Sequence, residues 1–309
     1  MLSLKFKQII VSLLLLLLIF ATQAWAQEAV VVIGQDLKVY ARAMEGFKEG
    51  FNFPFKEFTL SSATQSDDEI LDEVALVSPK LICAVGPKAA QAVKIKFPDI
   101  PLVFTLVSNP YQYNLNDKNI SGISLDVSPE DQFSYLRKIL PQATKLGVIY
   151  NAGRNENMII EAEEIIKKYG FKLVKKVVED KSGVPDAIDF FESQKVDAFW
   201  IITDPVVANS VVLERLLLYS FSNKVPLVCP AAIFVKKGGL FSVSVSYKKL
   251  GEQMADIANK VFLGVKRIED FGILWPENAR LTINMNTANK LGITVSDEVL
   301  ATAGKVFSD

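Results

Sequence analysis

Apolar residues along the chain fall into a beat of short runs and longer amphipathic stretches that is played twice. Runs rich in Val and Ile begin near Ala29 (AVVVIG), Phe55 (FKEFTL), Lys80 (KLICAVG) and Ile100 (IPLVFTLV). Between the first two, Val39, Ala43, Phe47 and Phe51 stand four residues apart, the spacing of a helix with one covered face. Residues 67–77 and 87–96 predict two more helices. The second opens on Pro87, whose missing N–H is not needed in a first turn. The beat restarts with runs at Lys145 (KLGVIYN), Phe171 (FKLVKKVV), Asp197 (DAFWIIT) and Val225 (VPLVC), and helical patterns cover 157–169, 184–194 and 205–221. Strands alternating with helices of this length predict parallel sheets with right-handed crossovers. Two such blocks read as two α/β lobes rather than one eight-stranded sheet.

Three segments continue neither block. Residues 119–127 (NISGISLDV) join the first block to the second, residues 240–247 (LFSVSVSY) follow the second, and residues 280–285 (RLTINM) follow the stretch FGILWPEN. A helix with Leu250, Met254, Ile257, Val261 and Phe262 on one face lies between the last two. A chain that enters the second lobe at the first segment and returns at the second gives that helix to the first lobe. The third segment then crosses again. This predicts lobe 1 from 27–122 with 244–280, lobe 2 from 123–243 with 281–309, and a cleft at the hinge.

The N-terminus is set apart from this pattern. Lys5 and Lys7 precede an apolar stretch over 9–20 that holds six consecutive leucines, and Ala24-Trp25-Ala26 follows. A positive start, a short apolar core and small residues at the −3 and −1 positions predict a signal peptide over 1–26. The expected product is a periplasmic or secreted protein beginning at Gln27, with no cysteine placed for a lipid anchor. Removing Lys5 and Lys7 takes the formal charge from −1 to −3.

Composition narrows the chemistry. The 309 residues include no histidine and only two cysteines. This excludes histidine-based triads and HExxH zinc sites, and a four-thiolate cluster has too few ligands. The balance of 34 Lys+Arg against 35 Asp+Glu argues against a nucleic-acid partner. Cys83 and Cys229 sit inside apolar runs and read as buried thiols. There is no GxSxG, P-loop or GxGxxG pattern. The paired carboxylates Asp67-Asp68 and Glu163-Glu164 fall on charge-rich helices, where a solvated face is expected.

Ligands of open α/β sheets meet the carboxyl ends of the strands. Those ends supply the candidate binding residues: Gln35, Asp36, Ser61, Gly86, Ser108 and Asn109 in the first lobe, and Asn151, Asn155, Thr203, Asp204 and Ala231 in the second. Several precede helix N-termini, whose N–H groups suit an anion. Each also has a plainer role. Asp204 before Pro205 has the form of an N-cap with proline at N1, and Asp36 and Asn155 stand where they would cap helices. Gly86 suits a tight strand-to-helix turn, and Ser108-Asn109-Pro110 is a turn signal. Tyr111, Tyr113, Trp200 and Phe234 are candidates to stack on a ring, with core packing the plainer reading for the last two.

The run VFTLVSNPYQYNL, then NISGISLDVSPEDQFSYLRKILPQATKLGVIYNAG, resembles one family of ABC transporter substrate-binding proteins. So do VGPKAAQAV, VPLVCPAAIFVKKGGLFSVSVSYKKLGEQMA and INMNTANKLGITVSDEVL. Characterised members of this family are linked to tryptophan, phenylalanine and related amino acids. The resemblance implies the type I periplasmic binding protein fold, two Rossmann-like lobes joined by a three-crossing hinge. It implies a small-molecule ligand, no cofactor, no catalysis, and an ABC permease as partner. Relatives often carry a threonine where Gly86 directly precedes Pro87 here, an aspartate at Asn109, and an Asp-Asn-Thr-like element at Thr203-Asp204-Pro205. The same clamp in a ligand-sensing subunit for a sensor kinase is the alternative, and a secreted hydrolase is the remotest.

Overall fold

The computed structural model describes residues 28–277 and 279–308, so the signal expected over 1–26 lies outside the described residues. The first block of chain supplies β1 (Ala29–Ile33), α1 (Lys38–Gly50), β2 (Phe55–Thr59), α2 (Asp67–Val77), β3 (Leu81–Val85), α3 (Pro87–Lys96), β4 (Leu102–Val107) and β5 (Ile120–Ser124). The second supplies α4 (Pro129–Ile139), β6 (Lys145–Tyr150), α5 (Ala152–Lys168), β7 (Lys172–Val177), α6 (Val184–Gln194), β8 (Ala198–Trp200), α7 (Ser210–Asn223), β9 (Leu227–Cys229), α8 (Ala232–Lys236) and β10 (Phe241–Ser244). The remaining chain forms α9 (Tyr247–Phe262), β11 (Ile273–Leu274), β12 (Arg280–Asn284), α10 (Met285–Leu291), α11 (Asp297–Ala301) and β13 (Ala303–Phe307).

Two sheets result. One has the order β2-β1-β3-β4-β5-β11 and is parallel throughout. The other has the order β7-β6-β8-β9-β10-β12-β13, parallel except where β12 runs against β10. Both are wound alike, with the block's second strand outside its first and the later strands on the other side. The apolar runs are continuous because each sheet is covered twice. Val30 and Val32 face a core with Ile70, Val74 and Val93 of α2 and α3, while Ala29 and Val31 face α1 and α9. In the second sheet Leu146 and Val148 pack with α4 and α5, and Ile149 and Phe199 with α6 and α7.

Among the described residues the chain changes sheet three times, after Ser124, after Ser244 and after Leu274. After the second change, α9 lies on α1 of the first lobe. Their axes approach so closely that Gly46 and Gly251 have no room for a side chain. A Cβ on Gly251 would overlap the Ala43 carbonyl oxygen and stand 2.7 Å from its carbon.

Two expectations on helix starts are corrected. The helix expected over 157–169 begins at Ala152, because α5 leaves directly from the end of β6. The helix expected over 205–221 begins at Ser210, where the Asn209 side chain caps the Val212 N–H, and residues 205–209 form turns.

Cys83 on β3 and Cys229 on β9 are free, buried, and in different sheets, and burial pushes both thiols far above their ordinary pKa. A thiol reagent therefore finds no thiolate and no access. The native protein should give no reaction and the denatured protein should titrate both groups. Fast labelling of the native protein would contradict this packing.

Candidate functional site

All three crossings border one cavity of about 230 Å³ between the lobes. Leu125 and Asp126 come from the first crossing, Val245 from the second and Trp275 from the third. The second lobe adds Trp200, Thr203, Ala231 and Phe234, and the β4 end adds Ser108. A second cavity of about 230 Å³ adjoins it and includes Asn109, Tyr111, Asn157 and Glu161. Asp126, Met158 and Trp275 line both, and so separate two parts of one cleft.

Local backbone irregularity aims the β4 end at this cleft. The β4–β5 register shifts between Phe104 and Val107, and Leu106 is left-handed at φ 57° although its side chain is buried. Asn109 is left-handed too, at φ 44°. A non-glycine residue held in this region costs on the order of 1–3 kcal/mol, and such residues cluster at ligand clamps. The bulge turns the following residues out of the sheet: Ser108 onto one cavity and Asn109 onto the other.

Asp126 is the centre of the cleft's electrostatics. Its Oδ2 accepts the Asn109 N–H at 2.6 Å and the Ser124 hydroxyl at 3.4 Å. Its Oδ1 is sealed from solvent and has no hydrogen-bond partner of good geometry. Burial raises the carboxyl pKa, and it outweighs the lowering by the Asn109 N–H and the Thr203, Ser108 and Ser124 hydroxyls that flank the group. A buried carboxylate oxygen without a donor is an unsatisfied acceptor.

A buried polar chain runs beside it from lobe to lobe. The Asn109 side-chain N–H groups reach the Arg154 carbonyl at 2.5 Å and the Asn155 Oδ1 at 3.1 Å. Asn155 in turn donates to Asp204 Oδ2 at 2.6 Å. Asp204 is fully buried and also accepts the N–H of Asn151 at 2.7 Å and of Val206 at 2.8 Å. Asp204 is thus no N-cap of a long helix. Its carboxylate ties the β8 end to the start of α5, because the β6 and β8 ends lie side by side.

The structure sorts the sequence candidates. Ser108, Thr203 and Ala231 line the first part of the cleft and Asn109 the second. Asn155 and Asp204 lie beneath it in the buried chain. Asn151 opens onto a different pocket with Arg154 and Asp180, and Gln35 and Asp36 onto one with Tyr40 and Glu57. Ser61 accepts from Lys88 at 2.6 Å and donates to the Gly34 carbonyl at 3.1 Å, and Lys88 pairs with Asp67. Gly86 is left-handed at φ 90° and a Cβ there would strike the Tyr40 ring, so packing explains it. Asp36 caps nothing: the N-cap of α1 is Leu37.

Of the aromatic candidates, Trp200 is both core and lining. It is only 2% exposed, packs edge-on against Phe133 at 5.0 Å, and donates its indole N–H to Gln132 at 2.9 Å. Phe234 and Tyr111 line the cleft, whereas Tyr113 packs on the outer core of the first lobe. Sequence reasoning missed Asp126, Trp275 and Glu161. Asp126 and Trp275 lie in the crossings rather than at strand ends, and Glu161 lies on a helix. The tryptophan in FGILWPEN was the one signal for Trp275.

Among the described residues no helix is long and apolar enough to cross a membrane. Most of the chain resembles solved structures. A conserved domain protein from Vibrio cholerae aligns with a TM-score of 0.61 at 24% identity, over 91% of this chain and 99% of that one. A ligand-free, open substrate-binding protein with adhesive properties from Clostridium difficile gives 0.70 at 24% identity, over 92% and 100%. An ABC domain from Streptococcus pneumonia in complex with L-Trp gives 0.62 at 20% identity, over 91% and 99%. These likenesses show the fold, that of type I periplasmic binding proteins. A tyrosine-binding protein of Clostridioides difficile (strain R20291) is 25% identical over 264 residues, 82% of this chain and 75% of that protein. Residues 42–307 match the family described as ABC transporter substrate binding protein, and the chain belongs to that family.

Proposed function

We propose that this protein is the exported binding component of an ABC importer and clamps a small amine-bearing molecule with an aromatic or apolar body between its lobes. The observation that carries the reading is the Asp126 carboxyl, with one unpartnered oxygen, set among aromatic side chains where all three crossings meet. An ammonium group would satisfy Oδ1, and Trp200, Phe234 and Trp275 would cover a ring. The relatives named for tyrosine and crystallised with L-Trp support an amino acid as the class to test first. We place the lobe boundaries at the three crossings.

No chemical step is required of such a protein. A ligand touching both lobes favours the closed form by its differential affinity, and the closed form presents both lobes together to a permease. The Asn109–Asn155 contact is made from lobe to lobe and would be lost on opening.

Thermal melting with L-tyrosine, L-tryptophan and L-phenylalanine tests the reading. A bound ligand at a hundred times its Kd should stabilise by about 2.7 kcal/mol, and Asp126→Asn should remove the shift. That variant should itself be no less stable than the parent at neutral pH. A carboxyl pKa raised by folding favours the fold below the unfolded pKa, and that contribution is lost as pH rises through the folded value. No shift with any aromatic amino acid or amine, or a shift that survives Asp126→Asn, would overturn the assignment.

A further inference from the structure

We infer that the cleft selects its ligand by the ammonium group and not by a carboxylate, so that aromatic amines without a carboxylate bind at least as tightly as the matching amino acids. This rests on the reading above and narrows it. An α-amino acid is a zwitterion, and a site that required both its charges would place a cation or free N–H groups opposite the carboxylate. Among the described residues, Asp126 is the one charged side chain lining the first cavity, and Asp126 and Glu161 are those lining the second. No Lys or Arg is among the described residues lining either.

Some of the neutral donors are committed. Gln132, which lines the first cavity, donates an N–H to the Val127 carbonyl at 2.9 Å, and its oxygen accepts the Trp200 indole N–H. Helix α4 brings Pro129, which has no N–H, to the lining. A ligand carboxylate would meet two carboxylates and no cationic side chain among the described lining residues. An ammonium would meet the same two groups with the favourable sign, and Trp200, Trp275, Tyr247, Phe234 and Tyr111 offer ring faces suited to a cation. Burial raises the pKa of both Asp126 and Glu161, and a nearby cation lowers them again while an anion lifts them further.

Matched ligands separate the two charges. L-Tyrosine, tyramine and 3-(4-hydroxyphenyl)propionate, with the corresponding tryptophan set, would be titrated calorimetrically into the purified protein. The amines should bind as tightly as the amino acids or more so, and the propionates about a hundredfold more weakly than the amines. Asp126→Asn should weaken amine binding roughly 30-fold or more. Glu161→Gln, on the exposed side of the cleft, should weaken it about threefold and keep the fold. Amino acids bound about tenfold or more tightly than their amines would overturn the inference and leave the cleft assignment standing. Propionates bound as well as amines, or no binding by any of these compounds, would overturn both.

Discussion

Gly251→Ala is expected to cost about 3 kcal/mol or more, the upper end for overpacking, and to lower the melting temperature by roughly 6–12 °C. The atoms in the way are main chain, the Ala43 carbonyl and the Phe47 N–H nitrogen 2.9 Å from the new Cβ, so no rotamer change relieves the overlap. Gly46→Ala meets the Lys248 carbonyl in the same manner. Relief would require α1 and α9 to separate, opening the core of Phe47, Leu250 and Met254. Gly153→Ala is the control, since a Cβ there meets only the Asn151 side-chain oxygen at 3.3 Å, and alanine is favoured over glycine in a helix by roughly 0.5–1 kcal/mol. Scanning calorimetry of Gly251→Ala against Gly153→Ala decides. Equal melting temperatures would mean that the helices do not cross this closely.

The second large effect is expected from Asp204→Ala. Its carboxylate accepts three hydrogen bonds, from the Asn151 and Val206 N–H groups and the Asn155 side chain, and no part of it is exposed. Removal strands three donors in a sealed site, where each unsatisfied group costs about 1–3 kcal/mol, so a loss of roughly 3 kcal/mol or more is expected. The loss should reach the cleft as well, because Asn155 freed from Asp204 no longer holds its oxygen toward Asn109. Asp204→Asn keeps the shape and one acceptor oxygen and should recover part of the stability. Denaturant unfolding followed by tryptophan emission measures both variants. A loss under about 1 kcal/mol for the alanine variant would show that water readily replaces the carboxylate.

Much of the architecture was legible from periodicity. AVVVI and LICAV are apolar without interruption, and LVFTLV is broken only by Thr105, because their strands are covered on both faces, and this marks a doubly layered parallel sheet. The α1 stripe and the α9 face were legible for the same reason in reverse, each having one wet side. Shorter pieces were not. The two-residue β11 and the half-exposed β13 exist because a neighbouring edge pairs with them, and their own residues carry little preference. The α5 start was hidden in the polar run NAGRNEN, where helicity is imposed by docking on β6 and on Asp204.

For the cleft, the strand-end rule found Ser108, Asn109, Thr203 and Ala231, because carboxyl ends of parallel strands open on one side of a sheet whatever the partner lobe does. It gave equal weight to Gln35, Asp36 and Asn151, which open elsewhere. Nothing local distinguishes the two groups, since the difference is which ends the other lobe covers.

The sequence by itself determined the class of fold, two α/β lobes with a returning chain, because strand and helix periods, turn residues and burial on two faces are local physical demands. It also determined what the protein lacks the residues to do, since a chain without histidine cannot supply imidazole. Tertiary structure alone decided that Asp126 and Trp275 meet Trp200 in one cleft, that Asn155 and Asp204 form a buried strut, and that a bulge at Leu106 aims Ser108 and Asn109 apart. These depend on contacts between residues far apart in the chain, whose energies arise only once both sheets are formed and brought together at the hinge.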